Sequence, residues 1–168
     1  LDRGFPLVRL EDGRELRCKH ATSLVKGERV RAVIGDRVRV SFAERNDKAL
    51  IVEVLPRSRE LVRKDPTERA VPQVLAANFD RVIVTQPSTE VNMRRLEREL
   101  VLAHETGAAV SVVLTKADLA ESEDAVERVR ERVLALVGAD VETLVVSEAT
   151  PESVEAVREL VPEGTTAV

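Results

Sequence analysis

Residues 108–119, AAVSVVLTKADL, decide the fold. Ala108 to Leu114 are small or β-branched and almost wholly apolar, the pattern of a strand buried on both faces. The run stops at Thr115-Lys116-Ala117-Asp118, followed by Leu119. Open α/β sheets bind ligands at the carboxyl ends of their strands, and these four polar-rich residues stand at such an end. Taken alone, they are also compatible with a plain polar turn begun by Asp118.

Outward from this strand, residues 79–168 alternate between the two periods. Asp80 to Thr85 reads as a strand centred on Val82-Ile83-Val84. Asn92 is placed to cap the next helix, whose apolar face is Met93, Leu96, Leu100 and Ala103. His104 falls near its end, as a solvated or dipole-stabilised residue, and Gly107 stops it. After Asp118, Ser122 caps a second helix with Glu123 and Asp124 in its first turn. Its stripe is Val126, Val129, Val133, Leu136 and Val137, and Gly138 ends it. Val141 to Val146 is a third strand, leading into Ser147-Glu148-Ala149. Thr150-Pro151 opens a short helix to about Leu160, Pro162 and Gly164 stop it, and Thr165 to Val168 begins a fourth strand. This order gives a parallel α/β sheet with right-handed crossovers. Two of its strand ends carry the polar clusters Thr115–Asp118 and Ser147–Ala149, which can meet at one edge.

Residues 1–56 follow a different pattern. Short alternating runs are expected as strands over 5–10, 14–20, 28–34, 37–42 and 49–55, with turns at Asp12-Gly13, Gly35-Asp36 and Asn46-Asp47. Five such strands suggest an all-β, five-stranded OB-like barrel with Val38, Val40 and Phe42 inward. Arg14, Arg17, Lys19, Arg31, Arg37 and Arg39 face outward. Phe5 and Phe42 both fit a core role, which leaves no stacking platform. RNA contact is therefore expected through phosphate and shape. Residues 57–78 read as a basic connector, with Pro56, Pro66 and Pro72 interrupting regular structure.

Composition supports two modules. Residues 1–70 carry 17 basic and 12 acidic side chains, residues 71–168 carry 9 and 18. A basic half suits a polyanion, and equally suits charges that merely decorate strand surfaces. The chain is 43% apolar and 33% charged, as a folded soluble protein would be. No apolar run reaches the roughly 20 residues of a membrane helix, and no signal-peptide pattern occurs, so the cytoplasm is the default location. Cys18 is the single cysteine. It allows no internal disulfide or cysteine zinc cluster, and neither it nor His20 has a partner at metal-ligand spacing.

Thr115-Lys116-Ala117-Asp118 resembles the guanine-specificity motif of GTPases, usually Asn-Lys-x-Asp. A carboxylate at Asp118 can accept two parallel hydrogen bonds from guanine N1–H and N2–H₂, a donor pair adenine lacks, while the Lys116 stem lies along the base. The order of the pieces says more. A basic barrel with Ile34-Gly35-Asp36-Arg37-Val38 is followed by Leu55-Pro56-Arg57-Ser58 and Ala76-Ala77-Asn78-Phe79-Asp80, then Leu114 to Leu119. This order resembles the ribosome-small-subunit-dependent GTPase A (RsgA, or YjeQ) family over essentially the whole chain. The resemblance implies a partial α/β three-layer, P-loop GTPase-like, circularly permuted domain over 79–168. Its base-recognition motifs precede the phosphate loop. Ser147 would begin the second base-contacting loop, with Glu148 where the family usually has Ala; Thr115 stands for the usual Asn.

No G-x-x-x-x-G-K-S/T occurs in the 168 residues. The resemblance therefore makes this chain the N-terminal portion of such a protein, with no catalytic residue in it and inactive alone. GTP or GDP is the implied ligand. Mg²⁺ and a structural Zn²⁺ are expected only beyond Val168. The implied partners are the small ribosomal subunit and its 16S rRNA, with no membrane, and the implied role is GTP hydrolysis during subunit maturation. The rival expectation is a non-catalytic RNA-binding adaptor with a degenerate GTPase-like domain.

Overall fold

A computed structural model of the chain describes residues 5–28, 30–43, 46–64 and 72–168. It divides into two compact units, one of residues 1–60 and 64–78, the other of residues 61–63 and 79–168.

The first unit is built on strands β1 (Leu7–Arg9), β2 (Glu15–His20), β3 (Val38–Ala43) and β4 (Asn46–Val54). They form one mixed sheet in the order β1-β2-β4-β3, with β2 and β4 parallel and the outer pairs antiparallel. Gly13, at φ 83°, closes the β1–β2 turn. Cys18, Leu24, Ala49 and Ile51 make the core, with Val8, Leu16, Val38 and Val40 packed against it.

The strand expected over 28–34 is not formed among the described residues. Leu24–Glu28 is a short π-helical turn, and 30–33 run without a ladder partner. Side chains satisfy the freed donors instead. His20 Nε2 accepts from the Ala32 N–H at 3.0 Å, and Asp36 Oδ2 accepts from the Val33 N–H at 2.8 Å. This local bonding competes with a ladder and removes the fifth strand. Burial and the nearby Arg31 charge lower the His20 pKa. The ring is therefore neutral at pH 7, which its acceptor role requires.

Phe42 also departs from expectation. Its register pairs it with Ala49 on the core side, yet it is 59% exposed, because β3 is an edge strand and Phe42 lies near its end. Phe5 is 41% exposed, with Lys19 Nζ 5.1 Å from the ring centroid.

The stretch read as a connector carries two strands, β5 (Glu60–Lys64) and β6 (Pro72–Ala77). Pro72 is tolerated because it is the first residue of β6. Pro66 and Arg69 lie outside the described residues. Arg57 is no surface charge. It forms two hydrogen bonds to Asp36, 2.7 and 2.9 Å, with side chains 13% and 1% exposed. Asn78 adds three more. It accepts from the Ser58 N–H and hydroxyl and donates to the Gly35 carbonyl. Gly35 has φ +86°, and a Cβ there would sit 1.9 Å from the Ala77 carbonyl oxygen, so only glycine fits.

The second unit is a parallel sheet of β7 (Arg81–Pro87), β8 (Ala109–Thr115) and β9 (Glu142–Val145), in that order. Val168 extends it on the far side of β7, exchanging bonds with Arg81 and Ile83. Helices α1 (Met93–Glu105), α2 (Glu123–Val137) and α3 (Pro151–Glu159) make the crossovers. Asn92 and Ser122 accept from the third helical N–H as capping residues do, whereas Thr150 makes no such bond and Pro151 starts α3. Leu96, Leu100 and Ala103 bury the face of α1. Val133 alone is fully buried on α2, which lies over the edge strand β9. β8 is the spine, with Val110 to Leu114 all buried. No helix among the described residues is long and apolar enough to cross a membrane.

Removing one member of a buried ion pair strands the other charge, at a cost of about 3–5 kcal/mol. Arg57→Met is expected to lower unfolding free energy by that amount in a denaturant titration. A loss below about 1 kcal/mol would show that Asp36 does not depend on the pair.

Candidate functional site

The site grows from the end of β8. Thr115 is its last residue, and register places it opposite Pro87 of β7. Lys116 then adopts a left-handed backbone, φ 60° and ψ 37°, and Ala117–Leu119 close a 3₁₀ turn. A β-carbon at positive φ is uncommon and costs about 1–2 kcal/mol, so the surroundings must hold it. The kink turns the chain off the strand and exposes Asp118 at the sheet edge.

The second cluster arrives on β9. Val146 N–H donates to the Leu114 carbonyl at 2.8 Å, and Ala117 N–H donates to the Val146 carbonyl at 3.2 Å. These bonds carry the sheet ladder into both loops. Ser147, 7% exposed, donates its hydroxyl to Asp118 Oδ1 at 2.7 Å and accepts from the Ala149 N–H at 3.0 Å. One serine thus fixes a carboxylate and the loop that follows it. A cleft of about 760 Å³ opens at Asp118 and Ser147 and runs between α2 and β9 toward Thr143 and Val145. Glu148 is exposed and lines a different, mostly apolar hollow against Val154 and Arg158 of α3.

Thr115, Lys116, Ala117, Asp118, Ser147 and Glu148 therefore fall on two adjoining loops, with a direct bond between Asp118 and Ser147. An exposed carboxylate held on one oxygen by a buried hydroxyl is a rigid acceptor for a pair of donors on one edge of a planar ligand. Sequence reasoning missed Ser88. It is 2% exposed, and its N–H and hydroxyl both donate to the Thr115 carbonyl, at 2.7 and 2.9 Å. Its signal was available: Ser88 follows β7, at the same carboxyl edge of the sheet.

The six basic residues expected to face outward from the first unit are dispersed. Arg17 and Lys19 share the outer face of β2, and Arg39 lies on the same side of the sheet but pairs with Glu53 at 2.8 Å. Arg14 is held in the first turn by Asp12 at 2.7 Å. Arg31 and Arg37 are exposed outside the strands. Cys18 is a core residue, and burial pushes its thiol pKa up. Among the described residues, no group of three or more His, Cys, Asp or Glu could hold a metal ion.

Lys116→Gly relieves the left-handed strain while adding unfolded-state freedom, two effects of about 1 kcal/mol that oppose each other. Its melting temperature is expected to stay near that of the wild type, whereas Lys116→Val, β-branched at positive φ, is expected to melt several degrees lower. Equal melting of the two variants would contradict the strained geometry.

The family model described as RsgA GTPase matches residues 54–168. The small ribosomal subunit biogenesis GTPase RsgA of Xanthomonas campestris pv. campestris is 39% identical over 140 residues, covering 82% of this chain and 36% of that protein. RsgA 1 of Oceanobacillus iheyensis is 37% identical over 94 residues, 55% of this chain and 27% of that one. The chain thus spans about a third of these curated relatives. Among solved structures, YjeQ from Thermotoga maritima matches 99% of this chain and 55% of its own, with TM-score 0.69 and 24% identity. YloQ, described as a circularly permuted GTPase, gives TM-score 0.64 at 18% identity, with the same coverage. At these identities the two structures speak for the fold, and the family match extends over most of the sequence: the chain belongs to the RsgA GTPase family.

Proposed function

We propose that this chain supplies base recognition and RNA docking to a GTPase that acts on the small ribosomal subunit in the cytoplasm. The observation that carries the base-recognition reading is the Ser147–Asp118 bond, which joins two loops from neighbouring strand ends into one acceptor site. Asp118 would take N1–H and N2–H₂ of guanine. Lys116 would lie along the base plane. Backbone of the Ser147–Ala149 loop would approach O6. Thr115 contributes through its backbone rather than as the amide it replaces. Glu148 is exposed and lines the apolar hollow beside α3 rather than the cleft at Asp118, which supports a role for its backbone alone. No phosphoryl-transfer role is assigned to any residue here, because no glycine-rich lysine loop occurs in the sequence. We take Mg²⁺ and Zn²⁺ to be held by residues outside this chain, and we keep a circularly permuted order for the whole protein.

For the first unit we retain an OB-like reading of its mixed sheet, with 16S rRNA as the surface it meets. Arg17 and Lys19 carry this reading, since both project from the same exposed strand face. Arg31 and Arg37 would add flanking charge. Arg14 and Arg39 are already paired with carboxylates and would contribute less.

Two measurements on the complete natural protein test these assignments. Asp118→Asn is expected to lose GDP affinity and gain affinity for xanthosine diphosphate, because an amide donates where the carboxylate accepted. An unchanged preference in direct binding would remove Asp118 as the base reader. For RNA, replacing Arg17 and Lys19 together by Ala is expected to weaken binding and to flatten the log–log salt slope by about 2 units. A slope equal to that of the wild type would place the RNA surface elsewhere.

A further inference from the structure

Ser88 has no role in any contact proposed above, yet it is among the most buried polar residues of the second unit. It follows β7, and both of its donors go to one acceptor, the Thr115 carbonyl, at 2.7 and 2.9 Å. A carbonyl oxygen has two lone pairs, so this one is fully occupied. The reverse bond is also present, since the Thr115 hydroxyl donates to the Gln86 carbonyl at 3.4 Å. Gln86, 4% exposed, is held by Glu99 of α1 at 2.8 Å.

The peptide so gripped joins Thr115 to Lys116, the residue at φ 60°. A left-handed lysine is stable only if the peptides beside it are fixed. Ala117 is tied to β9 through the Val146 carbonyl, and Asp118 is tied to Ser147. Ser88 supplies the anchor on the other side, from β7. The kink is therefore held between neighbours on both flanks of β8, and the direction of Asp118 follows from it.

We propose that Ser88 is a positioning residue for base specificity, acting through the Thr115 carbonyl on the Lys116 kink and hence on Asp118. The proposal rests on the guanine reading given above. It assigns to a serine on the preceding strand end the restraint on this loop that a Thr in place of Asn supplies only weakly.

The test is the ratio of GDP to inosine diphosphate affinity, measured by calorimetry on the complete natural protein. Inosine lacks the N2 amino group, so the ratio reports how well Asp118 meets both donors. A merely structural defect would weaken both ligands alike. Ser88→Ala is expected to lower the ratio about fivefold, the worth of one net hydrogen bond. Thr115→Val, which removes only the 3.4 Å bond and leaves the carbonyl, should lower it less. If Ser88→Ala does not fold, Ser88→Cys keeps the size with a weak donor and should give an intermediate ratio. An unchanged ratio in whichever Ser88 variant is measured overturns the proposal. A wild-type protein that binds GDP and ADP equally overturns the guanine reading itself, whatever the variants do.

Discussion

The parallel register of β8 with β7 on one side and β9 on the other is the constraint on which the site depends. Parallel ladders align strand ends, so the loops leaving β7, β8 and β9 emerge at one edge. Bonds between the loops continue the ladder. Ser88 grips Thr115, Val146 accepts from Ala117, and Ser147 holds Asp118. A one-residue slip would turn every β8 side chain to the other face and separate these partners. Val110 to Leu114 are buried on both faces and offer no polar face to oppose such a slip, so the ladder and these loop bonds hold the register.

The first unit depends on a different knot. Gly35-Asp36, Arg57-Ser58 and Ala77-Asn78 are three short segments far apart in sequence, and they meet through the Asp36–Arg57 pair and the Asn78 side chain. Ala77 N–H donates to the Ile34 carbonyl at 2.9 Å, which brings the backbones close enough that Gly35 admits no Cβ. The same segments carried the family resemblance, and their physical work is structural. They close the loops around a small core that has Cys18 and Ile51 at its centre and no aromatic residue.

The parts of the structure legible in the sequence were those set by local rules. The buried run of β8, the caps Asn92 and Ser122, the stop at Gly138 and the loop ends Thr115–Asp118 and Ser147 each follow from a periodicity or a side-chain preference within a few residues. What stayed hidden depends on partners distant in the chain. The run through Val30 to Val33 reads as a strand, but Val30 donates to the Leu24 carbonyl, Ala32 to His20 and Val33 to Asp36, so no ladder forms. Arg57 looked like one more basic side chain because its partner is 21 residues away. Phe42 has inward parity, but parity cannot show that an edge strand outruns its core. Ser88 is an ordinary serine until β7 and β8 are laid side by side.

The central claim is that the two loops form a single guanine-reading site. A ¹H–¹⁵N correlation titration of the complete natural protein with GDP, and separately with ADP, tests it most directly. GDP is expected to shift the amides of Thr115–Asp118 and Ser147–Ala149 together, along one binding curve, while ADP at the same concentration leaves both loops nearly unmoved. Equal shifts with both nucleotides, or shifts in one loop without the other, would contradict it.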